Sequence, residues 1–269
     1  MKVTVLGATG TIGRFIVQHL RESGHEVVAA SRSSGVDAVT GAGLDTALAG
    51  ADVVVDCLNI ESMNTVKALE FFTTTAGNVC AAARGAGVGR IICVSIAGAT
   101  DPAVNRGYGY YRGKAAQEHA YRSSGLPLTI VHSTQWFELV AVIMRRVTLG
   151  PVAFVPTMRM APVAAESVAR LVADEVTRRH DGAEVRVVAI RGPEVATAAE
   201  VARRVIAARG SIGGRRPRMI LEAPLLGKAF AGDGLIPPDA TVDEVTLDRW
   251  LSGGAHRPVD NLGDVPGRE

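Results

Sequence analysis

A glycine-rich loop near the start of the chain constrains the fold more than any other feature. Residues 7–13 read Gly-Ala-Thr-Gly-Thr-Ile-Gly, which is a GxxGxxG spacing. An apolar run, Val3 to Leu6, comes directly before the loop, and a segment with helical apolar periodicity follows near residues 11–23. The sequence therefore predicts a strand, a tight turn and a helix in direct succession.

Each glycine of this loop has a predicted task. Gly7 permits the turn, Gly10 lets the backbone approach a pyrophosphate, and Gly13 lets the helix pack closely on the strand. Backbone N–H groups at the helix N-terminus then face the phosphates, and the helix dipole favours their charge. A loop that only turns the chain is the alternative. We expect a dinucleotide to be bound here, by Gly7, Thr9, Gly10, Thr11, Ile12 and Gly13.

Strands and helices are predicted to alternate along the first half of the chain. Predicted strands cover residues 3–6, 26–30, 36–39, 52–58, 90–95 and 128–132. Predicted helices cover residues 11–23, 44–49, 64–86 and 110–123. Short apolar strands separated by helices are typical of an α/β fold whose parallel sheet is covered on both faces. We therefore expect a Rossmann-like, doubly wound parallel sheet.

The second half is less regular. Helices are predicted at residues 138–147, 164–180 and 197–209, with a strand at 184–190, and a tail rich in glycine and proline begins at 211. The chain of 269 residues contains no evident linker or repeat, so we expect a single domain. Its core is predicted to span about residues 1–135. A small C-terminal substrate-binding part, about 136–269, is predicted to cap the carboxyl edge of the sheet.

Composition excludes several classes of protein. Hydrophobic residues make up 47% of the chain, which is too apolar for a disordered protein, and a net charge of +2 provides no excess of cations for nucleic acid. No apolar stretch approaches the roughly 20 residues that span a bilayer, and no targeting segment is recognised. The three cysteines lack CxxC spacing, and the histidines form no metal motif. We expect a cytoplasmic protein without a metal ion or a membrane partner.

The end of the second predicted strand indicates which dinucleotide is bound. A carboxylate at this position would bind the adenosine ribose diol of NAD. The chain instead reads Ala29-Ala30-Ser31-Arg32-Ser33-Ser34. The Arg32 guanidinium offers several donors and a stacking face to a 2′-phosphate, and Ser31 or Ser33 adds a hydroxyl. We therefore expect NADP, with NADPH preferred over NADH. The alternative is that Arg32 is a solvated surface residue.

Longer stretches resemble a known family. The segments GATGTIGR (7–14), GVGRIICVSIAGA (87–99), YGYYRGKAAQE (108–118), LPLTIVHSTQWFE (126–138) and PPDATVDEVTLDRWLSG (237–253) resemble the short-chain dehydrogenase/reductase superfamily. More narrowly, they resemble its atypical, NmrA-like, NAD(P)H-binding members. The resemblance implies the fold and a nicotinamide cofactor. It leaves the activity open, because these members include reductases, isomerases and proteins that bind the cofactor without known turnover.

The resemblance also implies a catalytic pair. Tyr110 and Lys114 fit the YxxxK motif of the superfamily. Residues four apart share a helix face, and an ammonium near a phenol lowers the pKa of that phenol. Tyr110 is then the expected proton donor, and Lys114 is expected to hold the nicotinamide ribose hydroxyls. Tyr111 is an alternative donor.

Three further positions follow from the resemblance. Ser95 is the candidate for orienting a substrate carbonyl if the segment is matched to an SSxAG form, whereas Ala97 takes that place in the longer SSxxxYG form. A hydroxyl that only caps the strand end is the alternative interpretation of Ser95. Leu58 lies with Cys57 and Asn59 at the close of the strand predicted at 52–58, where relatives let the chain pass the cofactor ribose. Thr40-Gly41-Ala42 stands where many relatives carry Gly-Asp, which puts a contact on the adenine side in doubt.

We interpret the chain as an NADPH-dependent oxidoreductase that acts on a small, apolar carbonyl, quinone or enone compound. Alternatives are a non-catalytic protein that senses the NADP(H) state, and an isomerase or epimerase with a bound cofactor. The partner is a small-molecule substrate, and the chain is expected to be a monomer or a homodimer. His132 is expected to be structural. Candidates for an apolar pocket are Trp136, Phe137, Met144, Met158 and Met160.

Overall fold

The computed structural model describes residues 1–60, 62, 64–180, 185–212, 216–224 and 226–253. Its strands, in chain order, are β1 (Lys2–Leu6), β2 (Glu26–Ala30), β3 (Val53–Asp56), β4 (Arg90–Ile96), β5 (Leu128–Ser133), β6 (Thr148–Leu149), β7 (Val152–Pro156), β8 (Arg159–Met160), β9 (Val185–Arg191), β10 (Ala196–Thr197), β11 (Met219–Ala223) and β12 (Thr241–Val242). Its helices are α1 (Gly13–Glu22), α2 (Leu44–Leu48), α3 (Thr65–Ala86), α4 (Pro102–Asn105), α5 (Gly109–Arg122), α6 (Phe137–Val147), α7 (Ala165–Thr177), α8 (Ala198–Arg209), α9 (Lys228–Ala231) and α10 (Leu247–Ser252).

The central sheet has seven parallel strands in the order β12-β9-β5-β4-β3-β1-β2. The apolar runs pair in register; Val3 lies opposite Val53, and Val5 lies opposite Val55. Helices α1 and α7 cover one face, and α2, α3 and α5 cover the other. Because both faces are covered, the strands are buried on both sides, as their continuous apolar runs require. The prediction of a Rossmann-like, doubly wound α/β fold is confirmed.

The strand predicted at residues 36–39 is wrong. Asp37 forms only an isolated bridge with Ala42, within a turn built on three left-handed glycines, Gly35, Gly41 and Gly43. The loop is held to α3 because the Asn78 amide donates to the carbonyl oxygens of residues 38 and 39, each over 2.9 Å. Its backbone hydrogen-bonding groups are thus partly satisfied by a side chain rather than by a neighbouring strand.

The C-terminal part forms its own small layer. Strands β6, β7 and β11 form a three-stranded sheet, β8 pairs with β10, and Phe137 packs against Trp250 with ring centroids 5.3 Å apart. The described segments after residue 211 lie at several places in the fold and not only at the carboxyl edge of the central sheet. Strand β12 extends the central sheet beyond β9, while α9 packs with α4 near the carboxyl end of β4. Glu184, the predicted start of a strand, and all residues after 253 lie outside the described residues.

Over the described ranges, we find no helix that combines the length and the apolar character needed to cross a membrane.

Candidate functional site

The glycine loop lies where the connections of the sheet change direction. From β1 the chain passes to β2 on one side, and it returns through β3 on the other side of β1. Open α/β sheets bind ligands in the crevice outside the carboxyl ends of the strands at such a point. A Cβ atom on Gly7 would lie 2.9 Å from the Cys57 carbonyl oxygen, so the loop packs directly on the end of β3.

The three glycines of the loop differ in what constrains them. Gly7 has a left-handed φ of +76°. A Cβ on Gly13 would overlap the Gly7 carbonyl oxygen and lie 2.9 Å from the Ala8 Cα. Gly10 is exposed, and its Cβ would meet only the Gly7 carbonyl oxygen at 3.2 Å. The fold itself thus requires Gly7 and Gly13. Gly10 leaves an open stretch of backbone, which fits the close approach of a pyrophosphate.

The other predicted loop residues differ in exposure. Thr9 is exposed and Thr11 is partly buried, so their hydroxyls are accessible to a ligand. Ile12 is buried in the core with Val3 and Ile16, and its side chain therefore anchors the loop. Any contact of Ile12 with a phosphate would be made by its backbone.

The end of β2 is joined to this loop. The backbone N–H groups of Gly7 and Ala8 both donate to the Ala30 carbonyl oxygen, over 3.0 and 3.1 Å. The next residues are Ser31, whose hydroxyl lies 2.8 Å from the Ser33 hydroxyl, and the exposed Arg32, which begins a short 3₁₀ turn. The predicted site for the 2′-phosphate is therefore adjacent to the glycine loop.

Helix α5 packs unusually closely on α3. A Cβ on Gly109 would lie 2.6 Å from the Thr65 Cα, and one on Gly113 would lie 2.6 Å from a ring carbon of Phe72. Both helices follow strands of the central sheet, so this contact determines how far the side chains of α5 extend over β3 and β4. The sequence motif around Lys114 thus includes two glycines with a packing role.

Lys114 is buried at the carboxyl end of β4. Its side chain is 3% exposed, and its ammonium donates to the Val94 carbonyl oxygen over 2.7 Å and to the Gln117 side-chain oxygen. It also lies 4.8 Å from the centroid of the Phe72 ring. The side chain is therefore fixed by two hydrogen bonds and a cation–π contact.

The two tyrosines of the motif lie in different surroundings. Tyr110 is partly buried, and its ring packs on Phe72 with centroids 5.8 Å apart, so Tyr110 and Lys114 share a neighbour. Tyr111 is buried, and its hydroxyl accepts from the Gln135 amide over 3.2 Å. Burial raises the pKa of Tyr111 well above its usual value. Because a phenol with a raised pKa is a weaker acid, its burial does not favour Tyr111 as a proton donor.

Ser95 lies in a second polar group on the same side of the sheet. Its hydroxyl donates to Glu118 Oε1 over 2.5 Å, and His132 Nε2 lies 2.9 Å from the same oxygen. Burial alone would raise the pKa of Glu118, but the hydrogen bonds from His132 and Ser95 outweigh it and leave the pKa below its usual range. The proton of Ser95 is already used inside the protein, so the structure does not favour Ser95 for orienting a carbonyl. His132 has the structural partner expected of it.

A buried carboxylate that no sequence motif marks lies at the end of β3. Asp56 is fully buried at the end of β3, where its oxygens accept from the Leu58 N–H over 2.8 Å, from Gln117 over 2.7 Å and from the Tyr121 hydroxyl over 2.6 Å. One signal was available, since Asp56 ends an otherwise apolar run of three valines. The bond to Leu58 also places that predicted cofactor contact beside Gly7, whose Cβ would lie 3.3 Å from the Leu58 nitrogen.

The candidate pocket residues are not brought together. Met158 and Met160 pack with Tyr111 near α9. Phe137 and Met144 instead belong to the C-terminal core around Trp250. Trp136 packs against the core beneath α1 and α7. Only the two methionines therefore remain candidates for contact with a substrate.

The described residues contain no group of three His, Cys, Asp or Glu side chains that could hold a metal ion. The thiols of Cys57, Cys80 and Cys93 are free, and burial raises the pKa of each. They are therefore poor nucleophiles at neutral pH.

Comparison with known proteins agrees with this geometry. The profile of an NAD(P)H-binding family matches residues 7–179. No curated protein matches the sequence. Among solved structures, the chain is similar to UDP-glucuronic acid 4-epimerase from Bacillus cereus, in complex with NAD and a fluorinated UDP-glucuronic acid. That likeness has a TM-score of 0.66 and 15% identity, and it covers 93% of this chain and 96% of that one.

Two reductases are also similar. Triphenylmethane reductase from Citrobacter sp., complexed with NADP(H), has a TM-score of 0.56 and 18% identity over 83% of this chain and 80% of that one. dTDP-4-dehydrorhamnose reductase from Yersinia enterocolitica has a TM-score of 0.61 and 12% identity over 82% and 90%. At these identities the likeness establishes the fold. With the family match, it shows that the chain belongs to the NAD(P)H-binding family and has the fold of the atypical, NmrA-like short-chain dehydrogenases/reductases.

Proposed function

We propose that the protein is an NADPH-dependent oxidoreductase that reduces a small, apolar carbonyl, quinone or enone compound. The observation that carries this proposal is the continuity between the two halves of the candidate site. Gly7 packs on Cys57 at the end of β3, and the preceding residue, Asp56, is linked through Gln117 to Lys114. The predicted phosphate loop and the YxxxK helix thus meet at the carboxyl ends of adjacent strands.

NADPH is proposed as the cofactor for two reasons. The turn after β2 carries the exposed Arg32 and two serine hydroxyls, and it contains no carboxylate for a ribose diol. The glycine loop, with the exposed backbone at Gly10, fits the pyrophosphate. When bound, the nicotinamide ring supplies a hydride.

The proposed roles on α5 follow from the match of Tyr110 and Lys114 to the YxxxK motif. Lys114 holds the nicotinamide ribose hydroxyls through its ammonium. Tyr110 donates a proton to the substrate oxygen as negative charge develops there. Ser95 is left out of the proposed chemistry because its proton is donated to Glu118.

A small, apolar substrate is supported by the residues beside the motif. Six of them form one buried cluster of apolar and aromatic side chains: Val104, Tyr111, Met158, Met160, Phe230 and Leu235. At its edge, the Gln135 amide donates to Tyr111, and its carbonyl oxygen has no hydrogen-bond partner among the described residues. This amide is a polar anchor for one group of the substrate. We assign the later segments that carry Met158, Met160 and Phe230 to the substrate side of the site.

Oxidation of NADPH with a panel of carbonyl, quinone and enone compounds tests the proposed activity. Tyr110→Phe should lower turnover of a carbonyl acceptor by about 10²–10⁴-fold and leave NADPH affinity unchanged. Lys114→Ala should lower both turnover and affinity. Tyr111→Phe is the matched control and should retain most of the activity. The opposite ranking of the two tyrosine variants would make Tyr111 the donor.

Arg32→Ala tests the choice of cofactor. The wild type should bind NADPH more tightly than NADH, and the variant should lose about 1–3 kcal/mol of that difference because a charge-assisted hydrogen bond is lost. Arg21→Ala, which removes an exposed arginine at the far end of α1, is the control. Isothermal titration calorimetry measures the affinity of each of the three proteins for NADPH and for NADH. Equal binding of NADPH and NADH by the wild type would contradict the proposal.

A second candidate function is epimerisation with a retained cofactor. It is favoured by the likeness to UDP-glucuronic acid 4-epimerase, which extends over 93% of this chain. An epimerase consumes no NADPH in net turnover, so a tightly bound cofactor without NADPH oxidation by any acceptor would favour it. If, in addition, no nucleotide sugar is converted, the protein is a non-catalytic sensor of the NADP(H) state.

A further inference from the structure

Helix α5 carries a buried polar strip that faces the ends of β3 and β4. Lys114, Gln117 and Tyr121 are three and four residues apart, so they share one face of the helix. Each is at most 3% exposed. Gln117 and Tyr121 both donate to Asp56 Oδ2, over 2.7 and 2.6 Å. One carboxylate oxygen thus receives two hydrogen bonds from the same helix.

The Gln117 amide joins two buried groups of opposite charge. Its nitrogen donates to Asp56, and its oxygen accepts from the Lys114 ammonium. This orientation is fixed because a carboxylate only accepts hydrogen bonds and an ammonium only donates them. The charge of Asp56 therefore determines which end of the amide faces Lys114.

This arrangement stabilises the folded core inefficiently, because it buries two charged groups. Withdrawing a carboxylate and an ammonium from water is costly, and apolar residues of similar volume often stabilise a protein at least as well. Asp56 and Lys114 do not form a direct ion pair, so little of that cost is recovered by Coulomb attraction at contact. We therefore expect the buried polar strip of α5 to have a role other than packing.

Asp56 also reaches the other half of the candidate site. Its Oδ1 accepts from the Leu58 N–H over 2.8 Å, and Cys57 between them packs on Gly7. A single carboxylate thus orders the chain beside the glycine loop and, through Gln117, the ammonium of Lys114.

We propose that Asp56 and Gln117 are positioning residues that hold the Lys114 ammonium in place for the nicotinamide ribose. The proposal rests on the proposed function, in which Lys114 binds that ribose. If it is right, breaking the link between Asp56 and Lys114 weakens the binding of the nicotinamide half of the cofactor and leaves the binding of the adenine half unchanged.

Two ligands and three variants test this proposal in calorimetry on the full chain. NADPH contains the nicotinamide ribose, and 2′,5′-ADP lacks it; NADH and ADP replace them if the wild type prefers NADH. Gln117→Leu removes the link. Asp56→Asn keeps the shape, but the amide at residue 117 can then turn and present its N–H₂ group to Lys114. Tyr121→Phe is the control, because it removes a hydrogen bond to the same Asp56 oxygen without touching Lys114.

Gln117→Leu and Asp56→Asn should each weaken NADPH binding by about tenfold or more and leave 2′,5′-ADP binding unchanged. Tyr121→Phe should bind both ligands like the wild type. Circular dichroism identifies a variant that does not fold, and the other variant then decides.

Three results would overturn the proposal. They are wild-type NADPH affinity in a folded Gln117→Leu or Asp56→Asn variant, an equal loss for both ligands, and a loss in Tyr121→Phe as large as that in Gln117→Leu. A wild type that binds neither dinucleotide would instead remove the proposed function itself.

Discussion

The two faces of the central sheet are packed differently. The face beneath α1 and α7 is lined by apolar side chains such as Val55, Val94 and Val131. The face beneath α3 and α5 is also largely apolar, but Asp56 and Ser95 lie on it at the carboxyl ends of β3 and β4. The side chains of the consecutive residues Val55 and Asp56 lie on opposite faces of the sheet, because side chains alternate along a strand.

The two faces therefore contribute differently to the stability of the fold and to the candidate site. Apolar burial contributes roughly 25 cal/mol per Å² and needs no particular partner. The α3/α5 face, which we call the polar face, also carries buried polar groups that depend on specific partners: Asp56 accepts three hydrogen bonds, and Glu118 Oε1 accepts two, whereas Glu118 Oε2 has no hydrogen-bond partner among the described residues. These groups lie at the edge of the sheet where the glycine loop also lies. The α1/α7 face therefore mainly stabilises the fold, and the α3/α5 face also shapes the candidate site.

Val55→Asp should give the largest effect, because it places a carboxylate inside a cluster of buried apolar side chains. Val55 is fully buried among apolar side chains. An uncompensated buried charge costs about 3–5 kcal/mol, so the variant should be largely unfolded or insoluble. Urea unfolding followed by circular dichroism measures the loss.

Val55→Thr is the matched control for this variant. Threonine has nearly the shape of valine and adds one neutral hydroxyl, so its cost should be about 1–3 kcal/mol. Similar unfolding midpoints for Val55→Asp and the wild type would show that the α1/α7 face tolerates charge, and the comparison between the faces would fail.

Gly13→Ala should give a smaller loss of stability. Gly13 lies where the glycine loop joins helix α1. The new Cβ would overlap the Gly7 carbonyl oxygen, so the backbone of the loop or of α1 must shift. Overpacking of this kind costs about 1–3 kcal/mol, and binding of NADPH should be lost with it. Thermal unfolding and calorimetry measure the two effects.

Gly10→Ala tests the same loop with a much milder packing conflict. Gly10 is exposed, and the nearest contact of its Cβ is 3.2 Å away, so the free energy of unfolding should change by about 0.5 kcal/mol or less. NADPH binding should still be weakened, because the Cβ occupies the approach to the loop. Equal destabilisation by the two alanines would remove the distinction between packing and binding glycines.

The fold was predictable because its signals are local. The alternation of apolar strands with helices, and the glycine spacing directly after the first strand, define the doubly wound sheet without knowledge of tertiary contacts. The failure at residues 36–39 has a tertiary cause. Val36 to Val39 looks like a short strand, but the Asn78 amide, 39 and 40 residues further along the chain, satisfies its carbonyl groups instead.

The site was predictable only in part. Lys114 and the glycine loop carry spacings that can be recognised in the sequence, whereas Asp56 and Gln117 are 61 residues apart and meet only in the folded chain. Ser95 illustrates the converse. Its position suggested a role with a substrate, but the partner that takes its proton, Glu118, is 23 residues away on another element. The sequence identifies residue types, and the partners of buried polar groups depend on tertiary structure.

Glu118→Gln should give a modest loss of stability, and it tests whether the α3/α5 face depends on charge. The folded-state pKa of Glu118 lies below its usual value, so its carboxylate contributes stability that is present above the unfolded pKa of about 4.3 and is lost as pH falls through the folded pKa. Glutamine keeps an oxygen for Ser95 and His132, so at pH 7 the variant should lose only about 1 kcal/mol.

A difference in unfolding free energy between the wild type and Glu118→Gln should be present at pH 7 and at pH 5, where the Glu118 carboxylate is charged. It should shrink below pH 4, because the protonated wild-type side chain is then as neutral as the amide. Urea unfolding at pH 7, 5, 4 and 3 measures this trend. The control is Glu22→Gln on the exposed surface of α1, where the difference should stay near zero throughout. A difference for Glu118→Gln that does not change with pH would mean that the hydrogen bonds of this group, and not its charge, stabilise the polar face.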